Sequence, residues 1–240
     1  MEKRKELYRG KAKTMYATDD PLRLVMHYRD DVSAFDGAKV AKLAKKGETN
    51  NRINAFVMER LGQAGIRSHF VSLLNERESL VRAMRMIPVE CVVRNVCAGS
   101  MAKRYGIEEG RKLSEPIFEF FLKSDVLHDP LVNDDHIRVL KWATADEIAQ
   151  MKALTHRVNE VLKPMFADAG IDLVDYKLEF GHPRDDPDGP LVLGDEFTPD
   201  GCRLWDAKTG EKLDKDRFRR DLGDVIEHYR DVAKRIGVPL

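Results

Sequence analysis

Residues Val174 to Asp206, VDYKLEFGHPRDDPDGPLVLGDEFTPDGCRLWD, decide how this chain folds. Asp175, Lys177 and Glu179 alternate with Tyr176, Leu178 and Phe180. Successive side chains of an extended chain point to opposite faces, so this period of two predicts a strand with one charged face. Gly181 to Gly189 is dense in Pro, Asp and Gly and reads as a long polar turn. Leu191-Val192-Leu193 then leads into Gly194-Asp195-Glu196, which makes a two-stranded ribbon with carboxylates on both arms the economical reading. A solvated sheet face alternates in the same way. Against that, the second arm is a continuous apolar run ending in two acids, and acids at the end of a buried strand need partners. Glu179 and Asp195 can bridge one hard cation, because Mg²⁺ takes one or two carboxylates and leaves its other positions to water and phosphate oxygens. Lys177 on the same face then lies beside those phosphates. The stretch reads as a metal and nucleotide site.

The rest of the composition bounds this reading. A chain of 240 residues with 42% apolar content can form one large domain or two lobes around a real core. Lys plus Arg and Asp plus Glu both count 41, so no global field draws the protein to nucleic acid or to an anionic membrane. Cys91, Cys97 and Cys202 form no C-x-x-C, which suggests neither a disulfide framework nor a zinc site and fits a reducing cytoplasm. No apolar run approaches the ~18 residues that span a bilayer, and the charged start MEKRKELYRG does not suggest export.

From the N-terminus, Leu7 to Thr18 reads as a strand interrupted at Gly10, with Leu22 to Tyr28 returning as its hairpin partner. Glycine between Arg9, Lys11 and Lys13 lets backbone N–H groups approach an anion; an edge strand protected by solvated lysines has the same composition. Asp31 to Gly37 reads as a polar loop, and the apolar spacing from Asn50 to Ala64 predicts a helix stopped by Gly65. Ile66 to Leu74, Ser79 to Met86 and Val89 to Val96 read as strands. Ile87-Pro88 falls between the last two and marks the expected boundary between residues 1–87 and 88–240. Cys97-Ala98-Gly99-Ser100 opens a helix, with Ser100 as its cap or as a hydroxyl donor to an anion, and with Arg94 placed to hold a phosphate or carboxylate. Pro116 to Lys123 reads as a buried strand. Thr144 to Glu147 matches a capping box ahead of a helix that runs to Gly170, with a kink expected at Pro164, and Arg217 to Ile236 reads as one last helix. Neither a P-loop nor a G-x-G-x-x-G motif occurs, so a nucleotide must be held in another way.

Taken together, LYRGKAKTMY (7–16), SAFDG (33–37), IPVECVVRNVCAGS (87–100), FFLKSDVLHDP (120–130), VDYKLEFG (174–181) and GDEFTPDGCRLWD (194–206) resemble the SAICAR synthetase family over essentially the whole chain. The resemblance implies a two-lobed α+β fold of antiparallel sheets with packed helices, similar to ATP-grasp enzymes, with a kinase-like small N-terminal lobe acting as an ATP lid. It implies an ATP- and Mg²⁺-dependent ligase of purine biosynthesis joining L-aspartate to the carboxylate of carboxyaminoimidazole ribonucleotide (CAIR), with a homodimer as the expected assembly. Carried onto matching positions, it puts Lys11, Ala12 and Lys13 on the ATP phosphates, Met86 by the adenine, and Glu179 and Asp195 on Mg²⁺. Arg94, Ser100 and Arg203 would hold the ribonucleotide, and Lys177 would face the reacting carboxylate. Asp36, Lys123 and Asp175 would lie around the substrate pockets. The turn at 182–190 is longer than the family connection, and its Asp185, Asp186 and Asp188 read as solvated. A small-molecule kinase using the same lobes would favour an H-R-D motif, which is absent; a non-catalytic nucleotide-binding module would predict loss of the metal acids, and both remain.

Overall fold

The computed structural model describes residues 2–240, and its framework is two antiparallel sheets with helices packed against them. The first sheet contains β1 (Lys3–Arg9), β2 (Lys13–Thr18), β3 (Arg23–Tyr28), β6 (Phe70–Asn75) and β7 (Glu78–Arg82), in the order β1-β2-β3-β7-β6. Between β3 and β6 come a hairpin, β4 (Asp31–Ala34) with β5 (Lys39–Lys42), and helix α1 (Lys46–Gln63). The second sheet contains β8 (Met84–Val96), β9 (Lys112–Leu122), β10 (Leu131–Val132), β11 (Ile171–Pro183), β12 (Val192–Leu193) and β13 (Cys202–Asp206). Its order is β10-β9-β8-β11-β12, with β13 also paired to β11. Helices α2 (Gly99–Tyr105), α3 (Asp134–Val139), α4 (Ala145–Asp168), α5 (Asp216–Arg219) and α6 (Val225–Arg235) complete the chain. No helix among the described residues is long and apolar enough to cross a membrane.

Strand β11 sorts its side chains as the alternation requires. Tyr176, Leu178 and Phe180 are buried at 1% exposure or less in one core with Met151, Val158, Leu162 and Phe166 of α4. Each stabilises the sheet–helix contact by about 1.5–3 kcal/mol. The Tyr176 hydroxyl is satisfied there by donating to the Thr155 carbonyl at 2.9 Å. Helix α4 begins at the expected capping box, with Thr144 Oγ1 accepting from the Glu147 N–H and Glu147 accepting from the Thr144 N–H. The opposite face of β11 carries the charges, and the neighbouring strands extend it: Asp175 lies opposite Arg94, Lys177 opposite Val92 and Glu179 opposite Glu90.

Several local expectations give way to tertiary contacts. Gly10 does not interrupt one strand; it lies in the turn that joins β1 to β2. Asp31–Ala34 is a strand rather than loop, held against β5. Helix α1 starts four residues before Asn50 because its polar side chains are also buried: Asn51 donates to the carbonyls of Asn75 and Glu76, and Asn54 accepts from the Phe197 N–H. The sheets change at Ala83, whereas β8 runs unbroken through Ile87-Pro88. Pro88 is accommodated where the β8–β11 register shifts between Glu179 and Gly181, so its missing N–H costs no ladder bond. The expected last helix is broken at Asp221, Gly223 and Asp224, all with positive φ, into α5 and α6; Leu222 stays out of the apolar stripe and is exposed. Asp185, expected to be solvated, accepts from Arg82 and Arg23 of the first sheet. These guanidinium groups hold its carboxyl down at about 2.

Candidate active site

Every site residue anticipated above except Asp36 lines one cleft of about 590 Å³ between the two sheets. Asp36 lies at its mouth, accepting from His128 Nδ1 at 2.8 Å and facing Lys11 at 3.7 Å. Lys11 itself is drawn to Asp125 at 2.9 Å.

The centre of the cleft is built by the outer edge of β11. Past the β13 pairing, the Lys177 N–H donates to Gly201 O at 3.0 Å; just before the β12 pairing, the Gly194 N–H donates to Glu179 O at 2.9 Å. Residues 194–201 therefore run along that edge and bring Asp195 and Glu196 to the charged face. Lys177 Nζ lies 2.7 Å from both Glu90 and Glu179. Lys123 pairs with the second oxygen of Glu179, and Lys13 reaches across from β2 of the first sheet to Asp195 and Glu196. Four acids thus face three lysines. Burial opposes the Lys177 ammonium, yet Glu179, Glu90 and Asp195 outweigh it and hold its pKa above the ordinary lysine range. Asp195 is likewise penalised by burial, but Lys13, Lys177 and Lys123 keep it well below the usual carboxylate range. Desolvation raises Glu90.

One end of the cleft is an arginine network. Asp175 Oδ2 accepts from Arg94 at 3.0 Å and from Arg203 at 2.9 Å; Arg94 also donates to Glu119, and Arg203 to Asp216. Ser100 Oγ accepts from Arg94 at 3.2 Å and makes no capping bond, since the N-cap of α2 is Ala98. Gly99 has φ +58, and a Cβ there would lie 2.4 Å from Arg203 Nη2, so glycine permits the close approach. The other end is apolar, with Met15, Leu24, Met26, Val81, Met84 and Met86. His69, beside it, donates from Nδ1 to Leu193 O at 3.1 Å, and burial lowers it to about 4, so it is neutral.

Arg29 shapes the turn between β1 and β2 in a way the sequence does not announce. The carbonyls of Gly10, Lys11, Ala12 and Lys13 all accept from its side chain or its N–H. Glu90, Glu119 and Asp216 also escaped the sequence reading. Glu90 had a signal, since it shares the period-two face of Val92 and Arg94; the others are defined by partners distant in sequence.

A cleft whose apolar end opens onto lysines and carboxylates and then onto an arginine fork suits an enzyme acting on a phosphorylated, planar substrate. Comparison with known proteins makes this specific. The chain matches the SAICAR synthetase family over residues 6–236. It is 63% identical to the phosphoribosylaminoimidazole-succinocarboxamide synthase of Idiomarina loihiensis over the full length of both chains. The Ehrlichia chaffeensis synthase of the same name superposes with a TM-score of 0.96 at 44% identity, covering 98% of this chain and 100% of that one. An SAICAR synthetase in complex with ADP superposes at 0.92 with 45% identity, covering 97% and 99%. The chain belongs to the SAICAR synthetase family and is a ligase of purine biosynthesis.

Proposed function

We propose that the cleft uses ATP to join the amine of L-aspartate to the carboxylate of CAIR, giving SAICAR, ADP and phosphate by way of an acyl phosphate on the substrate. The observation that carries this reading is the meeting of Lys13, Lys123 and Lys177 with Glu90, Glu179, Asp195 and Glu196 between an apolar end and an arginine end. A carboxylate is a poor acyl donor, so phosphorylation must precede attack by an amine, and lysines placed around the transferring phosphoryl group offset its charge. The ADP complex of a relative at 45% identity supports the use of a nucleotide.

In this reading the adenine lies against Met86. The turn at Lys11, Ala12 and Lys13, its carbonyls turned toward Arg29, offers the opposite pole of its peptide dipoles to the phosphates. Arg94, Ser100 and Arg203 hold the ribonucleotide phosphate, Lys177 faces the reacting carboxylate, and Lys123, Asp175 and Asp36 border the substrates. The donor set fits Mg²⁺: acids outnumber lysines, and Lys13 sets a cation against Asp195 and Glu196. Glu179 and Asp195 would hold the ion, which would supply further charge neutralisation at the phosphates. The proposal treats residues 1–87 as an ATP-lid lobe and 88–240 as the lobe of the metal and ribonucleotide sites, similar to ATP-grasp enzymes with a kinase-like small lobe. It takes the assembly to be a homodimer, which sedimentation measures.

Oxygen-18 placed in the CAIR carboxylate tests the chemistry. Label should appear in the released phosphate, and protein incubated with γ-labelled ATP alone should retain none after denaturation. Phosphate free of label would rule out the acyl phosphate, and stable labelling of the protein would reveal a side-chain nucleophile.

A further inference from the structure

Lys215 stands apart from the other cations of the cleft. Every other Lys and Arg lining it has a carboxylate within 4.0 Å; Lys215 has none among the described residues. The acids around it are committed elsewhere. Asp200 receives Lys46, the Asn50 amide at 2.9 Å and the Tyr229 hydroxyl at 2.9 Å. Asp214 accepts the N–H groups of Leu204 and Asp216, and Asp216 accepts from Arg203 and Arg219. The position of Lys215 is fixed by its own N–H, which donates to Pro199 O at 3.2 Å, in the segment whose Gly201 carbonyl holds the backbone of Lys177. Lys215 and Lys177 thus both line the cleft, each with its backbone N–H held by a carbonyl of the 194–201 segment.

We propose that Lys215 is the base that takes the proton from the α-ammonium of the incoming amino acid, a role that rests on the acyl-phosphate reaction proposed above. An amino acid enters as an ammonium ion and cannot attack until it loses one proton. Lys11, Lys123 and Lys177 are held by carboxylates, which favour their charged form. In contrast, burial and the neighbouring charges of Arg219, Lys46 and Lys11 disfavour the ammonium of Lys215 against the single pull of Asp200, lowering it to about 8. The step balances: the substrate ammonium gives a proton to the neutral Lys215 amine, and its freed electron pair forms the C–N bond. The C–O bond to phosphate then breaks, and the departing phosphate takes the second nitrogen proton.

Hydroxylamine provides the test, because it is a neutral nucleophile at pH 7 and needs no base. Wild-type protein with ATP and CAIR should form both SAICAR from aspartate and a hydroxamate from hydroxylamine. Lys215→Met and Lys215→Arg should each lose about 100-fold or more in the aspartate reaction, the usual scale for a proton-transfer group, while hydroxamate formation stays near wild type and reports an intact fold. The wild-type aspartate rate should rise with pH through about 8, and the hydroxylamine rate should not follow it. Normal aspartate turnover in Lys215→Arg would show an anion seat and overturn the proposal, as would equal loss of both reactions in Lys215→Met. Absence of hydroxamate from wild type would instead remove the acyl phosphate itself, and this base with it.

Discussion

Replacing Asp175 by alanine should unfold the arginine end of the cleft more than any exposed ion pair could. Asp175 is 4% exposed and its Oδ2 lies between the Arg94 and Arg203 guanidinium groups at 3.0 and 2.9 Å. Truncation leaves these two cations facing each other with no acid between them. Breaking a buried pair costs about 3–5 kcal/mol. Arg94 keeps Glu119 and Arg203 keeps Asp216, which puts the loss at the lower end, about 3 kcal/mol. For a chain of this size each kcal/mol moves Tm by about 2–4 °C, so calorimetry should show a drop of ~6–12 °C. Arg138→Ala, which breaks the exposed pair with Asp135, is the control and should shift Tm very little. Inorganic phosphate should recover more stability in the Asp175 variant than in wild type, because the freed guanidinium fork is a phosphate site. A variant no less stable than the control, or one indifferent to phosphate, would refute the view that Asp175 holds this fork together.

Glu179→Gln and Asp195→Asn should each abolish ATP-dependent turnover with circular dichroism unchanged, and near-normal activity in both would end the metal assignment. Gly99→Ala should raise KM for CAIR well above that for ATP in steady-state assays, since the added Cβ would displace the Arg203 guanidinium; equal effects would move Arg203 to the nucleotide. His69 has a folded pKa of about 4, below its ordinary 6.5. The unfolded chain therefore binds the extra proton between these values, and stability should fall with falling pH at up to about 1.4 kcal/mol per unit. His69→Asn should flatten that slope in denaturant titrations at pH 4–6.5, and an unchanged slope would assign it to other groups.

Some of this protein could be read from the chain alone, because the deciding signals were local. The alternation from Asp175 to Phe180 is a period of two, and it sorted charged from core side chains before any partner was known. The Thr144 to Glu147 capping box and the glycine between basic residues at 9–13 likewise need only a few neighbouring residues. Other features are defined by groups far apart in sequence. Lys13 meets Asp195 across 182 residues, and Glu90 meets Glu179 only through the register of β8 on β11. Helix α1 looked apolar on one side only, because the carbonyl, the acid and the N–H group that its asparagines bond belong to the strand ends and loops of both sheets. Lys215 had no signal at all: what distinguishes it is that Asp200, Asp214 and Asp216 are each engaged by someone else. Periodicity and capping depend on backbone geometry over a turn or two, whereas a charge's partner, and so its protonation, depends on strand register and loop crossing, which exist only once the sheets have paired.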